Sequence, residues 1–345
     1  MQTCVPPADP TQPPAKLSQT GCVNANDPKT MAPSVVPYEV NSPLWSDGAD
    51  KLRGIALPMG GKIHVKNCGS NPAECPEMRD HTDDGKWVMP VGTVMVKSFL
   101  FDGKFLETRL LVRSDQTTWA GFTYKWDEAQ TDATLVWTER DEMMFATGQR
   151  TVHWRFPSRR DCVKCHLPDA SDTLGTETAQ MNRVVGGMNQ IDRLAAMDAF
   201  DAPVPKPYKA ALVVPYPSQA GTPPASATVE QRATSYLHAN CSFCHRPNDD
   251  VDCTSEPCLD LRFGLALKDR SICNIAPGKG DFGIAGAALL SPRTPAQSMM
   301  HYRMSAPPDD DLGKHGRMPQ IASYVVDQAA VDLIGNWITS VTACP

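Results

Sequence analysis

Two pentapeptides constrain this chain more than anything else in it: Cys162-Val163-Lys164-Cys165-His166 and Cys241-Ser242-Phe243-Cys244-His245. Both read Cys-Xaa-Xaa-Cys-His, the attachment signature of c-type haem. Two thiols on one turn can add across the two vinyl groups of a haem, and the histidine that follows is then held beneath the iron. With 12 Cys and 8 His in 345 residues, a shuffled chain would contain on the order of 0.01 such pentamers, so a repeat by accident is a poor explanation. The competing chemistry is a disulfide or a zinc site with a histidine beside it. The expectation is two covalently attached haem c groups, with Cys162, Cys165, Cys241 and Cys244 as attachment points and His166 and His245 as iron ligands.

The other eight cysteines are Cys4, Cys22, Cys68, Cys75, Cys253, Cys258, Cys273 and Cys344. An even remainder suits four disulfides in an oxidising compartment. Proximity suggests Cys68–Cys75, Cys253–Cys258 and Cys4–Cys22, which leaves Cys273–Cys344, although eight cysteines allow 105 pairings. Residues 1–30 lack the basic start and apolar core of a signal peptide, so a mature chain from the periplasm or the cell exterior is expected. Cys4 as a lipid-modified anchor is the alternative. No apolar run approaches the ~18 residues of a membrane span. The net charge of −6 argues against nucleic acid and against an anionic membrane surface as partners.

Along the chain, residues 1–34 read as a Pro-rich N-terminal arm with little core, stapled by one disulfide. Residues 35–156 carry short alternating or apolar runs at 35–40, 61–65, 92–101, 105–112, 121–126, 133–137 and 150–154, separated by turn residues such as Asp102-Gly103. These predict an antiparallel β-sandwich. Residues 157–228 form a first haem-binding segment. In it Glu177–Phe200 shows helical spacing broken by Gly186-Gly187, and a Pro-rich linker follows. Residues 229–345 read as a separate small domain. Thr228 caps a helix that runs into Cys241, and Asp327–Ile338 makes an amphipathic terminal helix. The fold expected is α+β and multidomain, an N-terminal β-sandwich followed by a mainly α-helical c-type cytochrome region.

An iron held by His245 needs a sixth ligand, and a thioether is the usual choice. Met318 lies in the loop Gly316-Arg317-Met318-Pro319 just before the last helix. Helix, Cys-Xaa-Xaa-Cys-His, long loops, Met-Pro loop and terminal helix with Trp337 together resemble class I cytochrome c over residues 229–345. The resemblance implies His245 as proximal and Met318 as distal ligand. For the first motif the candidates are Met181, His153, Met188, Met197, Met300 and His301. Met181 is preferred for its place on the first helix downstream. A five-coordinate iron is the other option.

A wider resemblance covers roughly residues 37–200. Val40-Asn41-Ser42-Pro43-Leu44-Trp45-Ser46-Asp47-Gly48-Ala49, Leu106-Glu107-Thr108-Arg109-Leu110-Leu111 and Phe156-Pro157-Ser158-Arg159-Arg160-Asp161-Cys162 are similar to an uncharacterised family of secreted bacterial dihaem proteins. That family has no established activity and implies an architecture only. Trp45, Ser46, Asp47 and Asp50 read as a turn rather than a ligand groove. The acidic strings at 249–252 and 309–311 lack EF-hand spacing and read as solvated loops.

These features predict an extracytoplasmic dihaem c-type cytochrome that moves electrons between redox partners, a cytochrome or a dehydrogenase, with self-association also open. One alternative is a dihaem peroxidase or oxidase with an open first iron. The other is a β-sandwich binding module serving a periplasmic dehydrogenase.

Overall fold

A computed structural model describes residues 3–345 except 8, 10, 69, 72–84, 138–139, 148–149, 169–171, 210, 214, 216–225, 248–258, 308–315 and 320–322. The strands are β1 (Val23–Asn24), β2 (Asp27–Met31), β3 (Val36–Pro37), β4 (Asp50–Ala56), β5 (His64–Val65), β6 (Trp87–Val88), β7 (Val94–Phe101), β8 (Lys104–Arg113), β9 (Trp119–Trp126), β10 (Ala133–Val136), β11 (Arg140–Thr147), β12 (Arg150–Pro157), β13 (Val184–Val185) and β14 (Met188–Asn189). The helices are α1 (Arg159–Cys162), α2 (Thr178–Met181), α3 (Gln190–Ala196), α4 (Val229–Asn240), α5 (Met299–Ser305) and α6 (Gln328–Ser340). The chain forms two compact units. One comprises Met1–Val40, Ala49–Asn67 and Asp84–Ala211, the other Asn41–Gly48, Cys68–Asp83 and Leu212–Pro345.

The first unit is built on one antiparallel six-stranded sheet, ordered β10-β9-β8-β7-β4-β3. β7 and β8 are long because both alternate branched or aromatic residues with turns at each end, and Asp102-Gly103 closes their hairpin with positive φ at both residues. Alternation splits their side chains between two faces. Val94, Val96, Leu110, Val112, Ala120, Phe122 and Tyr124 point to one face. Leu17, Val23 and the Cys4–Cys22 disulfide pack into the same cluster, so the N-terminal arm is part of the main core. On the opposite face, Ile55, Met95 and Leu111 pack with Trp87, Met181, Ile191 and Leu194. Farther along that face, Phe99, Phe101 and Leu106 pack with Val152, Trp154 and Phe156 of the β11–β12 hairpin.

The expected fold class is corrected on two points. The strands do not make two stacked sheets; one six-stranded sheet carries two-stranded hairpins. The residues after Pro157 do not make a mainly α-helical, cytochrome-like region. Their helices are 4, 4, 7, 12, 7 and 13 residues long, set in irregular chain. The helical spacing of Glu177–Phe200 yields only α2 and α3, because Gly186 and Gly187, at φ 61° and 85°, turn the β13–β14 hairpin between them.

In the second unit α4 packs on α6. Ala233 and Leu237 meet Ile334, Trp337 and Ile338, with Leu261, Ile272 and Leu290 closing the cluster. Both helices begin at side-chain caps. Thr228 accepts from the Gln231 N–H at 3.1 Å, and Asp327 accepts from the Ala330 N–H at 3.2 Å. The Cys273–Cys344 disulfide ties the end of the chain to this unit. The Trp45-Ser46-Asp47 string is a structural turn here. Asp47 Oδ1 accepts from the Tyr324 and Val325 N–H groups, each at 2.8 Å, and the Trp45 indole donates to the Val325 carbonyl at 3.0 Å. Among the described residues no helix is long and apolar enough to cross a membrane.

Candidate functional site

Both Cys-Xaa-Xaa-Cys-His stretches fold as tight turns on the ends of helices. The first follows β12. Ser158 and Asp161 form a reciprocal cap that opens α1, and the chain turns once more so that the His166 N–H donates to the Cys162 carbonyl at 2.9 Å. Asp161 is buried and gathers Arg155 at 3.1 Å and Lys164 at 3.0 Å. Burial pushes the Asp161 carboxyl up, but the bonds from Lys164 and Ser158 and the charge of Arg155 prevail and hold it below the ordinary aspartate value. Cys162 lies against β9. Its Sγ would stand 2.5 Å from a Cβ at Gly121, so only glycine lets the turn approach the sheet this closely. Burial raises the Cys162 thiol, with Arg109 acting against the rise. His166 bonds through Nδ1 to the Asp172 carbonyl. Burial lowers its imidazole to about 4, with Lys97 and Arg109 adding to the effect.

The second turn ends α4. The Cys241 N–H donates to the Leu237 carbonyl at 2.9 Å, and the His245 N–H to the Cys241 carbonyl at 2.9 Å. Cys241 is half-buried and burial pushes its thiol up to about 12, whereas Cys244 is exposed. Burial lowers His245, and the Arg303 charge lowers it further. The Arg303 carbonyl accepts the Met318 N–H at 2.9 Å. Arg303, near the end of α5, therefore both holds Met318 through its carbonyl and lowers His245 through its charge. Arg317 supports the Met318 loop by donating to the Ala306 carbonyl at 2.6 Å and to Ser323 Oγ at 2.9 Å.

The remaining candidates are scattered. Met181 is fully buried in the core behind the sheet, where Gln190 Nε2 donates to its carbonyl at 3.1 Å. It packs there with Ile55, Met95, Leu111 and Trp87. Met188 and Met197 are exposed. His153 is on β12 opposite Met144. Met300 and His301 are on α5 in the second unit, Met300 packing on the core there and His301 lying against Gly335 of α6.

The expectation of two covalently attached haem groups is corrected as well. Among the described residues, no group of three or more His, Cys, Asp and Glu side chains converges on a point where a metal ion could be held. Neither turn lies in a cytochrome-like helical region. The donor sets present do not fit the group, and no step is derived through it.

Cys4–Cys22 and Cys273–Cys344 are disulfides at 2.05 and 2.06 Å, and Cys68 is disulfide-bonded. Cys75, Cys253 and Cys258 lie outside the described residues, as do the acidic strings at 249–252 and 309–311. The cysteines of the two turns form no disulfide.

One feature beside the first turn was not expected from the sequence. Arg53, Lys97 and Arg109 stand directly opposite one another on β4, β7 and β8, and Lys51 stands opposite Phe99. The alternation of β7 and β8 places Lys97 and Arg109 on one face each, but only the strand register aligns them. Comparison of the chain with protein-family models, with curated proteins and with solved structures finds no match.

Proposed function

We propose that this chain is an extracytoplasmic electron-transfer protein whose two Cys-Xaa-Xaa-Cys-His turns are its redox centres. The observation that carries the reading is the division of the cysteines. Among the described residues Cys4, Cys22, Cys68, Cys273 and Cys344 are tied up in disulfides, while the four cysteines that form none belong to the two Cys-Xaa-Xaa-Cys-His turns. Disulfides at this density fit the periplasm or the cell exterior. Each turn offers two sulfurs and one imidazole at the end of a capped helix, so the redox-capable atoms are held on rigid elements. Cys244, exposed at the second turn, gives a redox partner protein a point of approach.

Protein-film voltammetry of the full chain, isolated from an oxidising compartment, tests this. Two redox centres are expected. The double variant Cys162→Ser/Cys165→Ser should abolish one and Cys241→Ser/Cys244→Ser the other. A wild-type chain without any electrochemical response overturns the proposal.

A further inference from the structure

The face of the sheet beneath the first turn carries a concentration of positive charge that the fold alone does not explain. Arg53 pairs in register with Lys97, Lys97 with Arg109, and Arg109 with Thr123, a single row across β4, β7, β8 and β9. Like charges directly opposite one another on neighbouring strands are destabilising. Lys51 joins the row from the side, so that Lys51, Lys97 and Arg109 all approach the Phe99 ring, at 5.9, 5.2 and 4.4 Å from its centroid. Phe99 itself is fully buried, and Lys51 also donates to the Ala49 carbonyl at 3.0 Å.

Three carboxylates nearby among the described residues are already engaged. Glu107, opposite Phe99 and wholly buried, holds Arg109 through both oxygens at 2.6 and 2.9 Å and accepts from the Trp154 indole at 3.0 Å. Glu39, which acts on Arg53, pairs with Arg183 at 3.0 Å. Asp161 serves Arg155 and Lys164. Desolvation lowers Lys97 well below the ordinary lysine value, and Arg53, Lys51 and Arg109 lower it further, against the pull of Glu107. The four cations are each half-buried, so the row remains within reach of solvent. The Arg53 guanidinium, the Lys97 ammonium and the Nη1 edge of Arg109, whose Nε and Nη2 are held by Glu107, match a compact anion with several oxygens.

We infer that Arg53, Lys97 and Arg109, flanked by Lys51, form a binding site for a multivalent oxyanion, of the phosphate or the dicarboxylate kind. The anion offsets the row's repulsion and so stabilises the folded sheet by mass action.

The test measures thermal unfolding of the full chain at constant ionic strength in chloride, inorganic phosphate and malonate. It adds titration calorimetry with each of the two oxyanions. Wild type should unfold several degrees higher in at least one oxyanion than in chloride. A response to phosphate alone assigns the site to phosphate, and one to malonate alone assigns it to dicarboxylates. Lys97→Met should lose at least tenfold in affinity and be no less stable than wild type in chloride, because it removes repulsion. Lys97→Arg should keep most of the affinity. Lys51→Met provides a second, milder variant with a smaller loss. Equal unfolding temperatures in all three salts overturn the inference, and so does a Lys97→Met variant that responds as wild type does.

Discussion

The Trp154 indole donates to the Glu107 carboxylate across 3.0 Å, fastening the β11–β12 hairpin to the centre of the main sheet. The same carboxylate is the one that neutralises Arg109. Glu107→Gln keeps the shape and removes the charge, leaving Arg109 unpaired beside Lys97. A loss of about 3 kcal/mol is expected, the usual consequence of breaking one side of a buried pair. Urea denaturation reads it, and an unchanged midpoint would show that the pair contributes little.

Asp161 makes the first turn sensitive to acid. Its folded pKa lies below the ordinary value of 3.8, so between the two values the unfolded chain binds more protons than the folded one. The stability this group contributes is complete above about pH 4 and is lost as pH falls through the folded pKa. Asp161→Asn should be less stable than wild type at neutral pH and show a shallower decline at the acid end. Parallel pH profiles for the two proteins would count against the assignment.

Met181 provides a contrast between core and site. Met181→Ala should destabilise the first unit by about 3 kcal/mol, as expected for a large side chain removed from a packed core. Both voltammetric responses should persist in the protein that remains folded. Loss of one response with stability intact would return Met181 to a role at the first turn.

The Cys273–Cys344 bridge closes a loop with a sequence separation of 71. By chain entropy, Cys273→Ser/Cys344→Ser should cost about 4 kcal/mol. Guanidinium unfolding of the second unit, reported by Trp337 fluorescence, measures it. The disulfide holds the loop ahead of Leu290 against α6, so the loss should fall on that unit.

Local chemistry was legible along the chain. Asp102-Gly103 marks the β7–β8 hairpin, Thr228 and Asp327 mark helix starts, and the two cysteine pentapeptides mark tight turns. Each of these depends on residues within one or two turns of each other. Strand β4 carries no clear strand signal because Lys51 and Arg53 put charge on its inner face while the apolar Leu52 is exposed. The N-terminal arm read as peripheral because its few apolar residues, Leu17 and Val23, have no periodicity, yet both are buried in the main core.

By itself the sequence determined where the chain turns, where it is capped, which runs extend and which cysteines sit in repeated turns, because backbone preference and side-chain spacing act over a few residues. Only the tertiary structure decided that the long runs make one sheet, that Met181 belongs to the core and that the helices stay short. It alone decided that Arg53, Lys97 and Arg109 meet in one row. Those facts follow from strand register and from contacts between residues far apart in sequence, and no local pattern encodes which charge will face which across a sheet.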